Sequence, residues 1–129
     1  MSDFASEDIP DEDYLYYRVH TSYGLKDDKI PPGAIKDAGE GMSTDWSKYS
    51  TPLETASRGR KPRTEYRVAE FLVQKVRQVP EQEVRHTPKF DNRAHTDIIG
   101  PKDRNSGSPT KHRVLLSRCG RLILADELF

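Results

Sequence analysis

Between Tyr14 and His20 the chain runs Tyr-Leu-Tyr-Tyr-Arg-Val-His, and this stretch constrains the fold more than any other. Aromatic and β-branched residues suit a pleated, half-buried backbone. Successive side chains of a strand point to opposite faces, so Leu15, Tyr17 and Val19 share one face while Tyr14, Tyr16, Arg18 and His20 share the other. The first face predicts core and the second a solvated surface.

The remaining elements follow from punctuation and pattern. Residues 1–12 are acidic, polar and interrupted by Pro10, which predicts a disordered acidic tail ahead of a single α+β domain over 13–129. Gly24, Pro31, Pro32, Gly33, Gly39 and Gly41 predict a long irregular loop across 24–50. At Thr51-Pro52-Leu53-Glu54 a threonine cap, a proline at the first helical position and a glutamate three residues after the cap predict a short helix, stopped by Gly59 and Pro62. Val68 to Val79 is a strand-like run ended by Pro80. Glu83 to His86 and Ala94 to Gly100 read as two further strands, and 101–108 as a mobile polar loop. Ser108-Pro109 repeats the cap-then-proline pattern, and Val114, Leu115 and Cys119 have helical spacing up to Gly120. These elements predict a small, mostly antiparallel sheet with one short and one longer helix. No strand–helix alternation points to a doubly wound parallel sheet.

Composition bears on function. Apolar and charged residues each make up 33% of 129 residues, a thin supply for a core, so one modest unit with long loops is expected. The 21 basic and 21 acidic residues balance, yet residues 1–14 hold six acids and no base, while 56–93 hold ten bases and five acids. That surplus is below the usual footprint of a nucleic-acid binder, but suits a local patch for a phosphate or an acidic partner. Alternatively the acidic tail lies over the basic middle of the same molecule. A lone Cys119 excludes an internal disulfide and reads as a small buried apolar residue. No secretory leader pattern opens the chain and no apolar run approaches a membrane span, so the cytoplasm is the expected compartment.

Known chemical motifs are missing. His86, His95 and His112 are too far apart for a ligand pair in one segment, so no metal is expected. There is no phosphate-cradling glycine pattern and no serine-hydrolase elbow, and no cofactor is expected. Four places remain. Asn92-Arg93-Ala94-His95 leads into a strand, where polar side chains at a loop–strand junction can face a ligand. Arg18 and His20 share one strand face and suit an anion. Trp46 and Tyr49 either anchor the loop on the core or recognise a partner. Glu81 and Glu83 are paired carboxylates one residue apart, suited to acid–base work or to a charged turn.

Tyr14 to His20, Ser43 to Pro52 and Asn92 to His95 together resemble a set of short bacterial proteins of uncharacterised activity. That set has an Arg in its opening strand, a loop containing Ser, Asp and Trp, and an Asn-x-Ala-His segment. The resemblance spans most of 14–124, implies no activity, and ranks Asn92 and His95 first. A fainter resemblance is to ADP-ribosyltransferases with Arg18, Ser43-Thr44 and Glu81-x-Glu83 in the order of their motifs. It implies that Arg18 holds dinucleotide phosphates, Ser43 fixes geometry and Glu83 stabilises developing positive charge. The chain is short for that fold, and Ser43-Thr44 lies in a Gly-rich stretch.

Two functions are therefore expected. The first is a non-enzymatic interaction or accessory protein, with loop 24–50 and the Asn92–His95 junction as its surface for a protein partner. The second is a small enzyme or binder of a phosphate-containing ligand (nucleotide, nicotinamide dinucleotide or RNA) with Arg18, His20, Arg93 and His95 converging. Oligomeric state is open.

Overall fold

A computed structural model describes residues 4–102 and 111–128, the side chains of 125 and 126 excepted. Strands β1 (Tyr14–His20), β2 (Met42–Trp46), β3 (Tyr66–Leu72), β4 (Glu83–His86), β5 (His95–Ile99) and β6 (Gly120–Leu122) form one sheet, in the order β4-β5-β2-β1-β3-β6. Every pairing is antiparallel. Helices are short: α1 (Pro52–Ser57), α2 (Val73–Gln78), α3 (Lys111–Ser117) and α4 (Ala125–Leu128). The α+β class and antiparallel sheet agree with the alternation of β1 and the lack of parallel crossovers.

The inner face of β1 is buried as its sequence predicts, whereas the face expected to be solvated is half-covered at Tyr16, Arg18 and His20 because α1 packs over it. Leu15, Tyr17 and Val19 are buried, and they join Met42, Trp46, Phe71, Ile98 and Leu122 in the main core. Val73 and Val76 of α2 and Leu116 of α3 close that layer. Burying each aliphatic side chain contributes about 1.5–3 kcal/mol before the cost of ordering the chain. On the opposite face Val68 and Tyr16 meet Ala56 and Leu53 of α1, with Ile123 and Leu128 behind. The two apolar clusters thus flank one shared sheet.

Helix α1 starts as its sequence predicts. Glu54 N donates to Thr51 Oγ1 at 3.1 Å, Thr51 N donates to Glu54 Oε1 at 2.9 Å, and Pro52 takes the first turn. These two reciprocal bonds satisfy amides that a six-residue helix otherwise leaves bare. Buried Ala56 and Thr55 hold α1 across the sheet.

Several expectations need correction. The acidic segment is not a free tail over residues 4–12. Ile9 is buried, Ser6 Oγ donates to the His86 carbonyl at 2.6 Å, and Gln74 N donates to the Asp11 carbonyl at 3.0 Å. Its carboxylates meet the basic middle as well, with Arg77 Nη1 2.6 Å from Asp11 Oδ1 and Arg93 Nη2 3.8 Å from Glu7 Oε2. One apolar anchor and several cations outweigh the self-repulsion of the acids. Residues 1–3 of that expected tail, and 103–110 of the expected mobile loop and proline cap, lie outside the described residues. The loop expected over 24–50 contains β2, which is internal to the sheet and pairs with both β1 and β5. The Val68–Val79 run is split, because the chain turns from β3 straight into α2. At β6, a methyl group on Gly120 would collide with the Glu70 carbonyl, so strand proximity requires glycine there.

Candidate functional site

The register of the sheet gathers polar side chains on the α1 side. Tyr16 pairs with Asp45, Asp45 with His95, and Ser43 with Asp97, so these side chains share one face. The β1–β2 ladder is only two pairs long, and it stops before Arg18 and Ser43. A cleft of about 300 Å³ lies there, lined by Tyr16, Arg18, Ser43, Asp45, Arg58 and His95 together with Lys89, Asp91 and Asn92 of the β4–β5 loop.

Asp45 organises the cleft floor. Its side chain is 4% exposed. Oδ2 accepts from Thr55 Oγ1 and from Arg58 Nη1, and Oδ1 accepts from Asn92 Nδ2, each at 2.8 Å. A buried carboxylate is tolerated when paired and fully hydrogen-bonded, and here the partners come from α1, its C-terminal cap and the β4–β5 loop. Arg18 Nη1 donates to the Thr55 carbonyl at 2.9 Å, which fixes its guanidinium between β1 and α1. Asn92 Oδ1 accepts from Ala94 N at 3.1 Å, and a reciprocal Lys89–Asn92 backbone pair at 3.0 Å closes the turn.

His95 is buried beside this floor. Its Nδ1 lies 3.0 Å from the Thr87 carbonyl and 2.9 Å from Thr87 Oγ1. A carbonyl oxygen only accepts, so Nδ1 carries the proton and Nε2 is left as an acceptor. Nε2 faces Ser43 Oγ at 3.3 Å, while Asp97 Oδ1 stands farther off at 3.9 Å. Burial first, and the charge of Lys89 second, hold His95 below the ordinary imidazole range, so the neutral ring is favoured. Among the described residues, no three His, Cys or acidic side chains are grouped to hold a metal ion.

The residues singled out in the sequence separate into two groups. Arg18, Asn92 and His95 line the cleft together. His20 lies in the adjoining depression with Tyr23 and Lys36; its Nδ1 accepts from Ser22 N at 3.1 Å and its Nε2 lies 3.2 Å from Glu65. Arg93 is not part of the convergence. Its guanidinium lies 4.3 Å from the Tyr49 ring centre and 4.9 Å from that of Phe4, holding the N-terminal segment. Trp46 anchors its segment on the core and is not a surface for a partner: it is 1% exposed and its Nε1 donates to Asp13 Oδ2 at 2.8 Å. The paired carboxylates are also dispersed. Glu81 lies 3.2 Å from His112, and Glu83 bonds Arg85 on the outer strand β4. Of the ADP-ribosyltransferase-like set, Arg18 and Ser43 share the cleft while Glu83 does not line it.

Sequence reasoning did not select Tyr16, Asp45, Arg58, Thr87 or Lys89. Asp45 left a trace, as the acid between Ser43-Thr44 and Trp46, and Tyr16 left one as a neighbour of Arg18 on the same face of β1. The others reach the cleft only through sheet register and the seating of α1.

No protein-family model matches the chain, and no curated protein or solved structure matches it either. Among the described residues no helix is long and apolar enough to cross a membrane.

Proposed function

We propose that the chain binds a small phosphate-containing ligand, of nucleotide type, in the cleft between α1, β1, β2 and the β4–β5 loop. The supporting observation is that Arg18, Arg58 and Lys89 reach one cleft from three separate elements, against only Asp45 and Asp91 as acids. Asp45 is already paired with Arg58, so cationic character remains at the mouth. Ser43, Asn92 and Tyr16 add neutral hydrogen-bonding groups to orient a ligand. Phe90 is 75% exposed and sits in sequence between the lining residues Lys89 and Asp91, without lining the cleft itself. Tyr16 lines the cleft with its aromatic ring, and stacking of a base on such a ring is worth about 1–3 kcal/mol. Of the surface on which the interaction-protein reading rests, loop 24–50 and the Asn92–His95 junction, Trp46 is engaged inside the fold, while Asn92 and His95 line this cleft.

The test is a thermal-shift titration of the full chain with pyrophosphate, a mononucleotide, nicotinamide dinucleotide and a short RNA. A ligand bound at 100 times its Kd adds about 2.7 kcal/mol to stability. At least one nucleotide-type ligand is expected to raise the Tm, with the rise lost in Arg18→Ala and Lys89→Ala and kept in Arg93→Ala. No shift with any of them, or a shift indifferent to Arg18 and Lys89, refutes the proposal.

A further inference from the structure

We propose that Ser43 is a nucleophile activated by His95, so that the cleft transfers the phosphoryl group of a phosphate ester rather than only holding it. This rests on the reading of the cleft as a phosphate site.

Thr87 Oγ1 donates to Asp97 Oδ2 at 3.2 Å, which commits its hydrogen. Its lone pairs, and its carbonyl, therefore receive Nδ1–H of His95. The chain Asp97–Thr87–His95 fixes one tautomer and leaves Nε2 as the base. The Asp97 carboxylate then stabilises positive charge on the ring when it takes up a proton. Ser43 Oγ, on the neighbouring strand, is the hydroxyl facing Nε2 at 3.3 Å. A nucleophile, a base in reach and a third group orienting that base are the parts that activated-serine chemistry requires, and their spacing is often loose before a substrate binds. Ser43 is half-buried and lines the cleft in which the ligand is placed.

The charges around it select the electrophile. A phosphoryl group in transfer spreads negative charge over its equatorial oxygens, and arginine and lysine are the groups that stabilise it. Arg18, Arg58 and Lys89 line the same cleft as Ser43. In the first step Ser43 Oγ forms a bond to phosphorus as His95 Nε2 takes the hydroxyl proton. The bond from phosphorus to the leaving oxygen breaks, and Nε2–H returns that proton to the departing alcohol. In the second step water attacks phosphorus and gives its proton to Nε2. The bond from phosphorus to Ser43 Oγ breaks and the serine regains its proton. The sum is one ester plus one water giving an alcohol and a phosphate. Arg18 orients the phosphate, and Thr87 and Asp97 act through His95 as positioning residues.

The experiment treats the full chain with diisopropyl fluorophosphate, which phosphorylates an activated serine with loss of fluoride, followed by peptide mass spectrometry. Expected is one added diisopropylphosphoryl group on the peptide holding Ser43, none there in Ser43→Ala, and labelling slowed ~100-fold or more in His95→Gln. A second measurement guards against a misfolded variant: Thr87→Val keeps Ser43 and His95, and is expected to slow labelling and shift its pH profile. A nucleotide-induced Tm shift that survives in Ser43→Ala, without labelling of the unaltered chain, overturns the nucleophile and leaves the binding reading standing. Absence of both overturns both. Labelling at another serine, or labelling indifferent to His95, also overturns the nucleophile.

Discussion

Replacing Asp45 by alanine is expected to cost about 3–4 kcal/mol, because three donors from two other segments close on this one buried carboxylate. The magnitude follows from what each donor has left. Thr55 Oγ1 keeps Ser50 Oγ at 2.9 Å, so its loss is small. Arg58 is 28% exposed and keeps Ser50 as an acceptor, so water and a hydroxyl recover part of its pairing. Asn92 Nδ2 loses the acceptor that anchors the β4–β5 loop to the sheet. A hydrogen bond to a charged partner is worth about 1.5–3 kcal/mol, and stranding a buried donor costs about 1–3 kcal/mol. A domain of this kind has roughly 5–15 kcal/mol in total, so the loss is a large share of it. It corresponds to a fall in Tm of about 10–20 °C. Urea unfolding followed by the fluorescence of Trp46 reads the change, since this lone tryptophan is buried against the same strands. Asp45→Asn keeps the volume and one acceptor, and is expected to cost about half as much. A double-mutant cycle with Arg58→Ala is expected to give a coupling above about 1 kcal/mol. An Asp45→Ala loss under about 1 kcal/mol, or strict additivity with Arg58→Ala, refutes the reading of Asp45 as the joint between α1 and the sheet.

Two further outcomes follow from burial. Trp46→Ala is expected to lose about 3–5 kcal/mol through the cavity it leaves, measured by circular dichroism, and a folded variant of unchanged Tm would contradict its core position. His95 is held below the ordinary imidazole value of about 6.5 by burial and by Lys89. Its unfolded state therefore binds the proton more readily, and the stability it contributes is complete above the unfolded value and lost as pH falls through the lower folded value. Tm is expected to drop between pH 7 and 5, with a smaller drop in His95→Gln, and equal pH profiles for the two proteins would count against the buried neutral ring.

The strands at Tyr14–His20, Glu83–His86 and Ala94–Gly100 were legible because two-residue alternation or β-branched content marks them locally. The cap at Thr51 was legible because its bonds span only three residues. β2 was not, because Gly39 and Gly41 before it and Ser43, Thr44 and Asp45 within it carry the composition of a loop. That stretch becomes a strand only because β5 pairs along it and β1 at its end. The same hidden strand bears Ser43 and Asp45. Of the candidate residues, Arg18, Asn92 and His95 were found through their polar character at strand positions. Arg93 and Trp46 have equally suggestive chemistry, yet the fold uses them to hold the N-terminal segment and the core.

By itself the order of residues determined which segments extend, where α1 begins, which face of β1 turns inward and that Cys119 belongs inside, since these depend on side chains a few positions apart or on simple aversion to water. The tertiary structure alone decided that Ser43 faces His95, that Asp45 joins three elements and that the acids near the start lie on the basic middle. Those pairings cross tens of residues, and their energy depends on burial and on the geometry of partners, which exist only once the sheet has closed in its register.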